Sequence, residues 1–170
     1  MSTRFTLVLL AVAAASCKGG LLQGGPDHAS VSDGDFVETA APLKGADLDA
    51  LWARGELVLG MEGYTIDAEE TSFAERELVT RWNNVLGLNR YAGYRTRAWV
   101  RLVPATPDSW KVSVAVQRQR NGDIRNPSEA MKAKWEVQPA DRARAGVILW
   151  KIESGFRAPG SDEDSDEKTN

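Results

Sequence analysis

Tyr94-Arg95-Thr96-Arg97-Ala98-Trp99-Val100-Arg101-Leu102-Val103 and Trp110-Lys111-Val112-Ser113-Val114-Ala115-Val116-Gln117-Arg118-Gln119 are the two runs that decide the fold. Successive side chains of a strand point to opposite faces, so alternation separates Ala98, Val100 and Leu102 from Arg95, Arg97, Trp99 and Arg101. In the second run Trp110, Val112, Val114 and Val116 share one face, and Lys111, Ser113, Ala115 and Gln117 share the other. Two strands of matched length joined by Pro104-Ala105-Thr106-Pro107-Asp108-Ser109 predict an antiparallel hairpin with a slightly long loop. One face of that hairpin is apolar and the other basic or polar.

The apolar face needs a cover, and the flanking segments supply one. Before the hairpin, Leu48, Leu51, Trp52, Val58 and Leu59 recur near the helical period, with Asp47 as N-cap and Gly60 and Gly63 as stop signals. The helix is expected to end near Met61, and Gly55 on its stripe permits close packing on a sheet. Tyr64, Ile66 and Ala68 alternate with polar residues as a short strand would. Residues 72–86 admit two readings. Ser72-Phe73-Ala74-Glu75 has the form of a capping box opening a helix, whereas Leu78, Thr80 and Trp82 alternate as a strand ending in an Asn83-Asn84 turn. The strand is the reading carried forward. After the hairpin, Asn126-Pro127-Ser128-Glu129 predicts a helix running through Ala130, Met131 and Trp135. A last helix is expected after Pro139, with Asp141 in its first turn and Ala145, Ile148, Leu149, Ile152 and Phe156 as its stripe. The sum is an α+β fold, an antiparallel sheet of three to four strands packed on one face by N-terminal and C-terminal helices.

The folded region read this way spans 44–157, and its residue inventory argues for a chain that is not an enzyme. The sole histidine, His28, precedes it, as does the sole cysteine, so a histidine base, a catalytic triad or a thiol nucleophile lacks its residue. No cofactor and no metal site is expected. Carboxylates do cluster at Asp67, Glu69 and Glu70 and at Glu75 and Glu77, the raw material of a hydrolase. Nothing beside them implies the burial such chemistry needs, and solvated loop residues are the plainer account.

The remaining feature is the row Arg95, Arg97, Trp99 and Arg101, with Arg118 and Arg120 as an extension. The plainer account is an outer face with cross-strand pairs to Glu75 and Glu77. The functional account is a surface for an anionic lipid, another polyanion or a partner's acidic patch, with Arg giving forked contacts and Trp an amphipathic anchor. Most of the six tryptophans are expected in the core, Trp99 being the exception because it shares a face with arginines.

Both ends differ in composition from this region. Residues 158–170 include Asp162, Glu163, Asp164, Asp166 and Glu167 against Lys168, a local charge of −4 in a chain of net −3. The rest is therefore almost neutral, which disfavours nucleic acid as a partner, and the tail reads as disordered. Residues 17–43 are rich in Gly, Ser, Asp, Ala and Pro and read as a flexible tether. Ahead of them Arg4 precedes an apolar run from Phe5 to Ala15 that is too short to span a bilayer, then Ser16 and Cys17, the layout of a signal peptide over 1–16.

Ala14-Ala15-Ser16-Cys17 resembles the lipobox of bacterial lipoproteins, although Ala14 stands where that family prefers a branched apolar residue. The resemblance implies a mature chain starting at Cys17 and bound to the membrane by lipid on that residue. Lys18 is similar to the pattern of lipoproteins sent to the outer membrane, facing the periplasm. The order of helix, strands and helix is loosely similar to the small domains of outer-membrane assembly lipoproteins such as the BamC accessory protein. That similarity, which carries no diagnostic motif, implies a non-catalytic binding or scaffolding module with an envelope protein partner. The alternative is a periplasmic carrier or sensor of an amphipathic or anionic ligand, held between sheet and helices.

Overall fold

The computed structural model describes residues 31–86, 93–123, 125 and 132–156. The signal segment, Cys17, His28 and the acidic tail lie outside the described residues, as do Asn126 to Met131 of the helix expected after the hairpin. Among the described residues a 3-10 turn (Asp33–Asp35) is followed by seven strands and two α-helices: β1 (Val37–Glu38), β2 (Leu43–Lys44), α1 (Leu48–Met61), β3 (Glu77–Val79), β4 (Asn83–Val85), β5 (Tyr94–Thr106), β6 (Ser109–Asn121), β7 (Trp135–Gln138) and α2 (Arg142–Ser154). The fold is α+β.

Its centre is the β5–β6 hairpin, in which Ala98 faces Val116, Val100 faces Val114 and Leu102 faces Val112. The arms run longer than expected and the turn is correspondingly tighter, with the register shifting between Pro104 and Thr106. The sheet has seven strands rather than three or four. They occupy four lanes, since β3 and β4 share the outer edge of β5, while β2, β1 and β7 share that of β6, all antiparallel. The difference has a physical origin: a two- or three-residue strand is too short to display a period, so only the long central pair announces itself in the sequence.

Both helices lie on the apolar face. Asp47 caps α1 by accepting the Ala50 amide at 2.6 Å, and Gly63, at φ 81°, turns the chain away just beyond its end. Leu51, Gly55, Val58 and Leu59 point at the sheet. A Cβ on Gly55 would stand 2.7 Å from Leu78 Cδ1, so only glycine lets α1 approach β3 this closely. Asp141 is the N-cap of α2, accepting the Arg144 amide at 3.0 Å, and Ala145, Ile148, Leu149 and Ile152 are buried. The two helices are tied along their shared flank, where Arg54 Nη2 donates to the Lys151 carbonyl at 2.7 Å and Glu62 receives both Lys151 and Arg144. Between the layers these helix residues and Leu78, Ala98, Val100, Leu102, Val112, Val114 and Val116 form one core.

Four features differ from expectation. The folded region includes residues before Lys44: Phe36 and Thr39 are buried, Thr39 donates its amide to the Val112 carbonyl at 2.9 Å, and β1 and β2 lie within the stretch read as tether. Over residues 72–86 the chain forms two short strands, and Asn83 and Asn84 belong to the second rather than to a turn. Ile66 makes only an isolated bridge to Thr80. Trp135 sits in a strand, not a helix.

Candidate functional site

Except at Arg101 on its rim, the arginine row of β5 does not face solvent. Arg95, Arg97 and Trp99 retain 6 %, 5 % and 8 % of their exposure, and opposite them on β6 Ser113, Ala115, Gln117 and Gln119 are buried too. This second face has its own small core of Phe36, Val79, Trp99 and Ala115, with Val31 packed against it. Trp99, expected to be the exposed tryptophan, is the most buried of the six; Trp150 on α2, expected inside, is 57 % exposed.

Each guanidinium of the row has a defined setting. Arg97 donates from Nε to the Thr80 carbonyl at 2.6 Å, and its Nη2 meets Glu70 at 2.7 Å and Asp67 at 3.6 Å. Arg95 lies between two indoles, 4.3 Å from the Trp82 ring centre and 4.6 Å from that of Trp135, and its Nε donates to Gln119 Oε1 at 2.8 Å. Arg101, at the rim, bonds Glu77 at 2.9 Å and Asp33 at 3.1 Å and stacks on Phe36. A planar cation sandwiched between rings gains from each ring's negative face, and an enclosed charge met by carboxylates is held rather than offered. The row is therefore internal structure. The expected pairing with Glu77 is present, whereas Arg97 takes Glu70 and Asp67 in place of Glu75.

Arg118 and Arg120 do not extend that row. Their cross-strand partners are Thr96 and Tyr94, so they lie on the helix-bearing face, continuing the line Val112, Val114, Val116 beyond the start of α2. Here the sheet overhangs the helical layer and forms a ledge. Above it a cavity of about 530 Å³ opens between Arg118, Arg120, the connector Gln138-Pro139-Ala140 and Arg142 in the first turn of α2. Arg118 stacks on the Tyr94 ring at 5.0 Å and, among the described residues, has no carboxylate within ion-pair distance. Arg142 donates one Nη1 hydrogen bond, 2.7 Å to the Gly34 carbonyl, which fixes the group without neutralising it. Arg120 has Glu136 at 3.5 Å, with both side chains more than half exposed.

No protein-family model and no characterised protein matches this chain. Its site must be read from its own geometry.

A smaller cavity of about 190 Å³ lies across the same connector, on the second face, lined by Val31, Asp35, Gln117 and Val137. Gln117 Oε1 is buried there with no hydrogen-bond partner. Among the described residues no group of three or more His, Cys, Asp or Glu side chains is arranged to hold a metal ion. The space between sheet and helices, where the alternative reading would hold a ligand, is filled by the main core. Sequence reasoning missed Arg142 altogether and offered Arg118 and Arg120 as an extension of the β5 row, whereas they lie on the helix-bearing face. The parity of Val112, Val114 and Val116 carried the signal, because residues two apart on a strand share a side.

Proposed function

We propose that this chain is a lipid-anchored module of the bacterial cell envelope that works by binding an anionic partner and not by catalysis. Anchoring rests on the lipobox-like Ala14-Ala15-Ser16-Cys17 behind a short apolar run, with diacylglycerol on Cys17 and Lys18 favouring the outer membrane. The observation that carries the binding role is the set of three arginines that line one open cavity, Arg118, Arg120 and Arg142, of which Arg118 and Arg142 have no carboxylate partner among the described residues. Arginines that serve the fold are enclosed or paired, as Arg95 and Arg97 are; arginines left facing an open space keep their forks for something that arrives from outside. The chain 31–156 then holds this cavity on a rigid two-layer frame, and residues 17–30 connect it to the lipid. An accessory role beside an envelope protein assembly, as in outer-membrane assembly lipoproteins, belongs to the same reading. The exposed apolar side chains of the outer helical surface, Leu57, Met61, Val147 and Trp150, are the area available to a protein partner.

Metabolic labelling with an alkyne analogue of palmitate tests the anchor. The full chain expressed in a Gram-negative host is expected to take the label and sediment with membranes, and Cys17→Ser to lose both properties. A mature, soluble chain carrying an unmodified Cys17 would overturn the reading.

A further inference from the structure

We infer that the ledge cavity is a binding site for a phosphoryl group, carried by a small phosphate ester or by a phospholipid head group. The inference deepens the anionic-partner reading and rests on it.

Strand alternation sets the problem. The β6 side chains facing α1 and α2 are Val112, Val114 and Val116, all fully buried, and the next two on that side are Arg118 and Arg120. A row that changes from valine to arginine where the helical cover stops leaves its cations facing open space rather than the core. Arg142 adds a third arginine from another element, so the cavity is lined by cationic residues of both the sheet and the first turn of α2. A carboxylate occupies one guanidinium fork; a phosphoryl group offers three oxygens and up to two charges, and satisfies several donors arriving from different directions. The volume of about 530 Å³ exceeds one phosphate and leaves room for the group that bears it, against the apolar surfaces of Pro139, Ala140 and Ala143.

The anionic residues nearby do not close the site. Asp141 lines the cavity and its Oδ1 accepts the Arg144 amide at 3.0 Å as the cap of α2, so its single negative charge is set against the three arginines of the same lining. For that reason the helix terminus itself adds nothing to the case, which stands on the guanidinium groups. Glu136 lies against Arg120 at 3.5 Å in an exposed pair, a contact that competes weakly with a multivalent anion. Arg118 is held by its stack on Tyr94 and Arg142 by its bond to the Gly34 carbonyl, so two of the three cations are oriented before a ligand arrives.

The test is isothermal titration of the full mature chain in detergent with inorganic pyrophosphate, with citrate as a carboxylate probe. Pyrophosphate is expected to bind at low ionic strength, to weaken as salt is added, and to lose about tenfold or more in affinity in Arg118→Ala and in Arg142→Ala. Arg81→Ala, an exposed arginine away from the ledge, is expected to match the unaltered chain. Absence of pyrophosphate binding, citrate binding of equal strength, or binding indifferent to Arg118→Ala and Arg142→Ala would overturn the site. The source of the phosphoryl group is read from Cys17→Ser chain added to vesicles of phosphatidylcholine alone or with phosphatidylglycerol. Recruitment by phosphatidylglycerol that needs Arg118 assigns a lipid head group; pyrophosphate binding without recruitment assigns a soluble ester. Palmitate labelling of Cys17 proceeds whether or not the ledge binds, so failure of the site and failure of the anchor are separate results.

Discussion

Arg97 on β5 and Arg118 on β6 are separated by one lane of the same hairpin, yet they sit on opposite faces and have opposite surroundings. Arg97 is enclosed, with a carbonyl and two carboxylates around it; Arg118 rests on one aromatic ring with open space beyond. The same residue type thus does two jobs in one sheet. On the second face arginine supplements a small hydrophobic core: its flat group stacks on Trp82, Trp135, Trp99 and Phe36, and its hydrogens go to fixed acceptors. On the ledge it is left with hydrogen-bonding capacity to spare. Counting arginines on a strand does not distinguish these uses; asking what each one already touches does.

The comparison is most exposed to failure at Arg97. Truncation strips the donor from the Thr80 carbonyl and leaves Asp67, itself largely buried, without its cation. Arg97→Ala is expected to cost about 2–3 kcal/mol in urea denaturation, because it removes a buried side chain and its bond to the Thr80 carbonyl while the carboxylates left behind are partly solvated. Arg97→Met, which refills the space with an apolar chain, should recover at least half of that. A loss near zero for Arg97→Ala would mean that the second face is a solvated surface after all.

Arg95 sharpens the point with a smaller effect. Its described contacts include packing between two indoles and a bond to Gln119, so Arg95→Ala should cost about 2 kcal/mol. Lysine keeps the charge but lacks the plane, so Arg95→Lys is expected to restore less than half. Tryptophan emission reports the same event directly, shifting to the red as Trp82 and Trp135 lose their filler.

How much of this was legible beforehand follows from element length and from burial. The central hairpin, α1 with its Asp47 cap and α2 with its stripe are long, strongly periodic segments, and alternation assigned Ala98, Val100, Leu102, Val112, Val114 and Val116 to the helix-bearing face. The short edge strands were not visible, since two residues such as Val37-Glu38 have no period to detect. The second face was read correctly as a set and wrongly as an environment. Charge suggests exposure, and only the three-dimensional return of Val31 to Phe36 and the loop around Asp67 and Glu70 shows that this face is covered. Arg142 belongs to a helix start on a connector whose position relative to β6 no local pattern encodes.

On the helix-bearing face one buried polar group tests the opposite extreme, a neutral donor in the main core. Burial pushes the Tyr64 phenol above its ordinary 10.0, outweighing the Thr96 hydrogen bond and the Arg144 charge, which act the other way. A folded pKa above the unfolded one means that this contribution to stability is complete below the unfolded value and lost as pH rises through the folded value. Denaturant midpoints should therefore fall on the alkaline side of about pH 10, and Tyr64→Phe should flatten that decline. An unchanged decline in Tyr64→Phe would place its origin elsewhere.

Arg101 and Arg118 close the comparison at the small end. Arg101 has two carboxylate partners but sits at the rim with about a third of its side chain exposed, so water already screens both pairs. Arg101→Ala should cost under about 1 kcal/mol, well short of Arg97→Ala on the same strand. Arg118→Ala should change stability by no more than about 0.5 kcal/mol, and toward stabilisation where salt is low, because it relieves repulsion among Arg118, Arg120 and Arg142. Folded-state need and ligand need are separable at this residue alone among those discussed: a side chain the fold can lose without penalty, placed where a row of valines ends and a cavity begins. If Arg118→Ala instead unfolded the domain as Arg97→Ala is expected to, the ledge would be another piece of internal structure, and the distinction between the two faces would disappear.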